Sequence, residues 1–376
     1  MSTFVALALL LSLHASAKDL AFVEEWSLAG PRFSEHSVFR YFLGGDGNLY
    51  LYEVQRAHGL LTGPGRLTAI SPQGRILRTV ESPFFSSLAI AVDRQSRIYL
   101  WGMEDARSLI RIFSPEGEQI RTLETPTLQA DLLLVDAAGF IYAVGLHVHN
   151  GREARFEHLD GTIVHVFAPD GREVAAFGSW EDSLPLNRRV QAASRSLLAF
   201  DRDRLLLYPN RPMPPDRFLS PLQVFAVDRG VPRLHATFDL GRLSSAMIGS
   251  RVEAQRPFLS EDDVVEGVAA FNDRVVLNVM RKAPTGRFQS VILLISPEGR
   301  VLEVPVPAPG LGRLIGVDSH GHFYFEYRHP SWSVVKARLI ERQGGVEHRI
   351  EGQIVGPRPQ RATQSGSPGA RARPKV

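Results

Sequence analysis

The sequence predicts an all-β chain folded as a six-bladed β-propeller, with four antiparallel strands per blade and the ring closed by an N-terminal strand. Three observations carry that expectation. A hairpin phrase, S/A-P-x-G, recurs at Ser71, Ser114, Ala168 and Ser296. A second phrase recurs six times: an apolar stretch, a short turn around Asp, Asn or Gly, then a strand that is often aromatic. The first apolar residues after those six turns are Leu49, Ile98, Ile141, Leu205, Val275 and Phe323, separated by 49, 43, 64, 70 and 48 residues. A period of roughly 40–50 residues with insertions is that of propeller blades.

At the N-terminus, "MSTFVALALLLSLHASAKD" carries an apolar run from Phe4 to Leu13 that is too short to span a bilayer and ends in an A-x-A pattern. Residues 1–17 are read as a signal peptide cleaved after Ala17, which places the protein in the periplasm or outside the cell. The first residues lack the usual Lys or Arg, and a buried first strand is the competing interpretation. There are no cysteines, so disulfides, thiol catalysis and a lipid-modified Cys are excluded. "LAFVEEWSL", from Leu20, has no partner of its own before the first blade. It is expected at the edge of the last blade beside "VVKARLIE", joining the two ends of the ring and removing two exposed edges.

The blades follow in order. In S/A-P-x-G, Pro sets φ for the first central position of a type I turn and Gly takes the left-handed position after it. Together they make a three-residue hairpin loop with a bulge. The flanking runs, such as "LIRIF" with "QIRTL" and "IVHVF" with "EVAAF", are rich in β-branched and aromatic residues. The second blade is the cleanest, with "SLAIAVD" innermost, then "RIYLWG", "LIRIF" and "QIRTLE". The third repeats it with "DLLLVD", "FIYAVG", "TIVHVF" and "EVAAFG". Blades one and five have "FRYFLGG" and "GVAAF" as inner strands. Blade four diverges, with "VDRGVPR" as its outer turn. Blade six is read as "RLIGVD", "FYFEY", "VVKARLIE" and "VEHRIEG". Residues 18–352 form the propeller. Residues 353–376, rich in Pro, Gly, Ser and Arg, form a disordered basic tail with five Lys or Arg and no acid. Without that tail the formal charge of +3 becomes −2, so the body gives no support for nucleic-acid binding.

The alternation of "V-D-x-x-G-x-I-Y" with "I-x-x-F-S-P-x-G" resembles the NHL-repeat type of six-bladed propeller, in a secreted bacterial-type member. The resemblance covers nearly the whole chain after the signal peptide. It implies the fold, and it implies a binding platform, an extracellular sensor or, in some members, an enzyme.

Loop lengths are asymmetric. Turns within the first and last strand pairs of each blade are short. The middle hairpins and interblade links, on the opposite face, hold the long segments, including "EVQRAHGLLTGPGR" from Glu53, "GLHVHNGREARFEHLDG" from Gly145, "YPNRPMPPDRFLSP" from Tyr208 and "MRKAPTGRFQS" from Met280. Long loops on one face of a rigid scaffold are where binding resides. The predicted binding residues there are Trp180, Arg188, Arg211, Arg217, Arg281, Arg287, Arg328 and Trp332, accompanied by Arg189, Arg251, Arg256, Lys282, Phe84 and Phe85. Arg and Trp are preferred interface anchors, and Arg forks onto carboxylates and phosphates. Arg is also frequent throughout this chain, so part of that enrichment is background. The expectation is a secreted, non-enzymatic, monomeric binding or scaffold protein whose partner is a protein, peptide or glycan.

Candidates for chemistry are sparse. His147 and His149 in "HVH" point to one side of an extended strand and suit zinc if a third ligand joins them, with His158 and His165 downstream; otherwise they are solvated loop histidines. "SEDDVVE", with Glu261, Asp262, Asp263 and Glu266, offers oxygen ligands for Ca²⁺ or a solvated turn. Asp93, Asp136, Asp201 and Asp318 recur at one position, which argues for Asx-turn hydrogen bonds. The alternative function is a metal-dependent hydrolase or lyase. Propellers of the gluconolactonase and paraoxonase kind hold Ca²⁺ on the central axis through carboxylates and Asn on inner strands. Here the inner strands are mostly apolar, with Glu266 and Arg40 as their polar candidates. No cofactor is expected on the first reading; Ca²⁺ or Zn²⁺ belongs to the alternative.

Overall fold

The computed structural model describes residues 20–349, apart from 31–36, 58–59, 83–88, 105–106, 126–127, 150–151, 154–161, 180–195, 202–203, 210–220, 241–258, 260–262, 283–284, 298–300, 307–311, 328–331 and 344–345. All regular structure in them is β. The first strand, β1 (Leu20–Ala29), precedes blade 1, which is built from β2 (Ser37–Leu43), β3 (Leu49–Ala57), β4 (Leu60–Ile70) and β5 (Ile76–Ser82). Blade 2 has β6 (Ile90–Val92), β7 (Ile98–Glu104), β8 (Arg107–Phe113) and β9 (Gln119–Glu124). Blade 3 has β10 (Leu128–Val135) and β11 (Ile141–His149), a short β12 (Arg152–Glu153) paired to the end of β11, then β13 (Thr162–Phe167) and β14 (Glu173–Ser179). Blade 4 has β15 (Leu197–Asp201), β16 (Arg204–Tyr208), β17 (Leu222–Asp228) and β18 (Val231–Phe238). Blade 5 has β19 (Val264–Phe271), β20 (Arg274–Lys282), β21 (Phe288–Ile295) and β22 (Val301–Pro305). Blade 6 has β23 (Gly312–Val317), β24 (His322–Tyr327) and β25 (Ser333–Gln343), with β1 as its outermost strand.

The predicted six-bladed propeller is therefore the observed fold. Six apolar clusters fill it, one between each pair of neighbouring blades. Tyr52 and Leu67 meet Ile98 and Leu100 between blades 1 and 2, for example, and Leu222 and Val224 meet Leu277 and Leu293 between blades 4 and 5. The last cluster joins Tyr324 and Val334 of blade 6 to Tyr41, Leu49 and Ile70 of blade 1, with Trp26 and Leu28 of β1 packed on it. Both faces of each inner sheet are covered, which is why the middle strands are nearly continuous apolar runs.

The repeated turns form as their residues require. The Gly74, Gly117 and Gly171 amides donate to Ser71, Ser114 and Ala168 at 2.9, 3.0 and 2.8 Å, and all three glycines have positive φ. Blade 4 diverges because Arg229 and Gly230, both at positive φ, close a two-residue hairpin between Asp228 and Val231.

The recurrent Asp residues do cap turns. Asp136 accepts the Ala138 and Phe140 amides, and Asp318 the His320 and His322 amides, all at 2.9 Å. Each carboxylate also accepts a hydroxyl from a buried Tyr of the next strand, in the pairs Asp93–Tyr99, Asp136–Tyr142 and Asp318–Tyr324. Burial first, and then the carboxylate, push the Tyr99 phenol up to about 12 and the other two higher. In blade 1 Gly44 stands six residues before Tyr50, and Asp46 supplies the acceptor instead, at 2.6 Å. The Asp201 side chain lies outside the described residues. Asp93 is almost fully buried and also accepts Arg97 Nε at 2.7 Å. Asp93→Ala is expected to destabilise the fold by about 3 kcal/mol, because it leaves a buried hydroxyl and two turn amides unpaired. Asp93→Asn, which keeps an acceptor, costs about 1 kcal/mol. Urea unfolding of the two variants separates these outcomes.

Two expectations need correction. "VEHRIEG" is not the outer strand of blade 6. That place belongs to β1, which pairs with β25 from Leu20↔Glu341 to Ala29↔Ser333. β26 (Val346–Arg349) pairs instead with the far end of β25, from Ile340 to Gln343, where β25 runs past the Arg338 limit of its pairing with β24. Several of the expected loops are also extended hairpins. Pairing continues to Ala57↔Leu60 in blade 1 and to Lys282↔Phe288 in blade 5, so the ladder runs outward past the middle of each sheet.

Candidate ligand site on the propeller axis

Each inner strand runs from an interblade link to a short inner turn, so its first half lies toward the face that carries the long links. Four charged residues stand in the first half, or at the midpoint, of inner strands: Arg40 on β2, Asp131 on β10, Glu266 on β19 and Arg313 on β23. Two of them sit in bulges. Pairing passes from Ala130↔Gly145 to Leu132↔Val144, which skips Asp131, and from Val265↔Val279 to Gly267↔Asn278, which skips Glu266. A bulge frees the skipped residue from the pleat and re-aims its side chain. Gly145 and Gly267 are needed beside these bulges. A Cβ on Gly145 would lie 2.0 Å from the Gln129 carbonyl oxygen, and one on Gly267 would lie 2.9 Å from Leu314 Cβ and from its carbonyl oxygen.

Arg40 Nη1 donates to the Asp131 carbonyl at 3.3 Å. Blades 1 and 3 are not neighbours, so this bond reaches across the position of blade 2 and directs the guanidinium toward the propeller axis. Arg313 Nε donates to the Glu266 carbonyl at 3.4 Å, and its Nη1 lies 4.0 Å from the buried Glu326. Burial first, and then the charge of Arg313, lower the Arg40 pKa to about 10, which leaves it cationic at neutral pH. Burial pushes the Asp131 carboxyl up to about 6, and Arg40 only partly offsets that. The four residues thus come from blades 3, 1, 6 and 5, with Arg40 bonded to the Asp131 carbonyl, Arg313 bonded to the Glu266 carbonyl, and the two guanidinium charges close enough to repel. Two neighbouring guanidinium groups, Arg40 partly buried and Arg313 exposed, favour an anionic group, and the flanking carboxylates give the same mouth an acceptor for a cationic one.

The predicted site residues are distributed unevenly. Glu266 belongs to this axial group, as does Arg40, the other polar residue singled out on the inner strands. Asp131 and Arg313 were missed, although each opens its apolar strand phrase, "DLLLVD" and "RLIGVD". Arg281 is held by Glu303 at 2.7 Å and lies 3.6 Å from Asp263. Arg287 is exposed in the β20–β21 turn. Trp332 packs edge-on against Phe39 and its carbonyl accepts the Gly30 amide. Trp180, Arg188, Arg211, Arg217 and Arg328 lie outside the described residues, as do Arg189, Arg251, Arg256, Phe84, Phe85, His158, Glu261 and Asp262.

The histidine pair divides. His149 ends β11 and only its backbone is described. His147 meets two residues of the same blade: its Nε2 is 3.2 Å from His165 Nδ1 and 3.7 Å from Glu173 Oε2, while His165 Nδ1 is 2.8 Å from Glu173 Oε1. Glu266 lies on the axis of blade 5, not with His147. Burial pushes the Glu173 carboxyl up, but the neighbouring His147 and His165 imidazoles prevail and bring it down to about 2. Burial foremost holds the His165 ring below the ordinary imidazole range, so at neutral pH it is uncharged.

Fold and site define a six-bladed propeller with a charged axial cluster at its link-bearing end. No family model matches the chain and no curated protein matches its sequence, so the NHL-type resemblance has no such support. Among solved structures it is similar to a protein of unknown function from Bacteroides caccae, at 13% identity over 76% of this chain and 93% of that one, with a TM-score of 0.43. It is similar to a gluconolactonase from Xanthomonas campestris, at 14% identity over 84% and 99% with a TM-score of 0.40. It is also similar to the calcium-binding protein regucalcin from Agrobacterium tumefaciens, at 15% identity over 54% and 64% with a TM-score of 0.34. At such identities the likeness extends to the fold alone. No helix among the described residues is long and apolar enough to cross a membrane.

Proposed function

We propose that the chain is an exported, non-enzymatic binding propeller whose axial mouth takes a peptide segment of a protein partner. The single observation behind this reading is the hydrogen bond from Arg40 to the Asp131 carbonyl, between blades that are not adjacent in the ring. It directs a guanidinium toward the axis beside Arg313, with two carboxylate-bearing bulges at the same end. A peptide that presents an acidic side chain or terminal carboxylate to the arginines, and an amine or amide to Asp131 and Glu266, matches that distribution. The same distribution weighs against the metal-dependent hydrolase reading. A divalent cation on the axis would share the mouth with Arg40 and Arg313, and like charges at short range in a half-buried site are costly.

Peptide arrays and calorimetry with the full chain test this reading. Acidic peptides are expected to bind with an affinity that falls as salt rises, because the anchoring groups are charged. Arg40→Gln and the more exposed Arg313→Gln are each expected to weaken binding by at least about tenfold. Peptides that bind equally well to both variants would move the site to the outer loops. Selective glycan binding without peptide binding would replace the ligand class. Calcium-dependent lactone hydrolysis lost in Glu266→Gln would restore the hydrolase.

A further inference from the structure

A second cluster lies away from the axis, on the face of blade 3 that packs toward blade 2. His147 comes from the end of β11, His165 from the middle of β13 and Glu173 from the start of β14. One donor atom from each lies within 4.8 Å of the others. His165 is almost fully buried, the His147 side chain is 9% exposed and Glu173 reaches solvent. We propose that His147, His165 and Glu173 form a binding site for a divalent transition-metal ion of the zinc class, tying the three outer strands of blade 3 together.

The geometry supplies the reason. A tetrahedral zinc ion with bonds of about 2.0–2.1 Å to imidazole and carboxylate has its ligand atoms roughly 3.3 Å apart. The two imidazole nitrogens stand 3.2 Å apart, close to that edge, and each faces its own carboxylate oxygen of Glu173, at 2.8 Å from His165 Nδ1 to Oε1 and 3.7 Å from His147 Nε2 to Oε2. Hydrogen bonding alone satisfies this arrangement poorly. His165 Nδ1 has one in-plane direction and faces two partners, His147 Nε2 and Glu173 Oε1, so one proton cannot serve both contacts. A cation between the three accepts all three lone pairs at once. On the opposite side of the ring, His165 Nε2 is buried and makes no hydrogen bond among the described residues. Two imidazoles and one carboxylate leave a fourth position for water. The proposal is independent of the axial reading, because no residue is shared.

The test uses the untagged full chain, stripped with chelator and titrated with Zn²⁺ by calorimetry, with elemental analysis and thermal unfolding in parallel. One Zn²⁺ per chain is expected, with a dissociation constant of about a micromolar or below and a raised unfolding midpoint. His147→Ala, the least buried of the imidazoles, is expected to weaken binding by at least about 100-fold while keeping the wild-type circular dichroism. Glu173→Gln is the second variant, with a loss of at least about tenfold, and it stands in if His147→Ala fails to fold. Failure of the wild-type chain to bind Zn²⁺, or binding of unchanged affinity in the folded variants, overturns the site. Co²⁺ in place of Zn²⁺ is expected to give the intense visible bands of a tetrahedral centre, lost in either variant. Weak octahedral bands in their place count against the proposal.

Discussion

A chain that begins after Ala29 is expected to lose the closed ring, unfolding at a far lower temperature than one that begins at Lys18 and collecting in aggregates. The physical basis is an edge. β1 makes nine residue pairs with β25, and without them the outer strand of blade 6 presents its unpaired amides and carbonyls to solvent. The packing goes with it. Phe22 meets Phe323 and Phe325 edge-on, at 4.9 and 5.2 Å between ring centres. Trp26 Nε1 donates to the Pro72 carbonyl at 2.9 Å, and its ring covers Gly74, so β1 latches blade 6 onto the S-P-Q-G turn of blade 1. Lys336 donates to the same carbonyl at 3.0 Å and is paired with Glu25 of β1 at 3.1 Å. Phe22→Ala alone is expected to destabilise the chain by about 3 kcal/mol, the range for emptying a largely buried aromatic site. Light scattering and thermal unfolding of the truncated chain decide the larger claim. A truncated chain of unchanged size and midpoint would show that five complete blades and a three-stranded sixth suffice.

The bolt was legible because an amphipathic strand with no local partner must find an edge, and the last blade offers one. The turns were legible for a related reason. Every blade has to reverse direction at the same place, so Ser71, Ser114 and Ala168 open the same hairpin, and Asp93, Asp136 and Asp318 cap the same turn. Repetition in the chain reports the parts of the fold that are repeated. The axial cluster is assembled from what is not repeated. Arg40, Asp131, Glu266 and Arg313 come from four blades, and two of them are placed by bulges that break the period-2 reading of their strands. A signal was present all the same, since each is a lone charge in an otherwise apolar inner strand. The histidine cluster was half legible. His147 stood out through "HVH", but its partners are a His inside the apolar "IVHVF" and an acid just past the "APDG" turn. Only pairing of β11, β13 and β14 brings them together. The described partner of His147 is therefore His165, two strands on in sequence.

Asp131 offers the sharpest separation between a site and a scaffold. Its carboxyl is pushed up to about 6 by burial, against about 3.9 for an unfolded aspartate. Between those values the folded chain retains a proton that the unfolded chain releases. This contribution is therefore full below about pH 4 and is lost as pH rises through 6. The difference corresponds to at most about 3 kcal/mol, and water in the channel reduces it, so about 1–2 kcal/mol is the expected size. Asp131→Asn removes the ionisation and keeps the backbone carbonyl that accepts from Arg40. The variant is expected to match wild type at pH 4 and to be more stable by about 1–2 kcal/mol at pH 8, in urea unfolding at both pH values. A residue kept for the fold would not be one whose neutral analogue strengthens the fold at working pH. If the carboxylate instead exists to hold Arg40 in place, Asp131→Asn loses stability at pH 8, and the cluster is an ion pair of the scaffold. If the variant gains stability while peptide affinity falls, the buried charge at Asp131 is retained against its own energetic cost for what it binds.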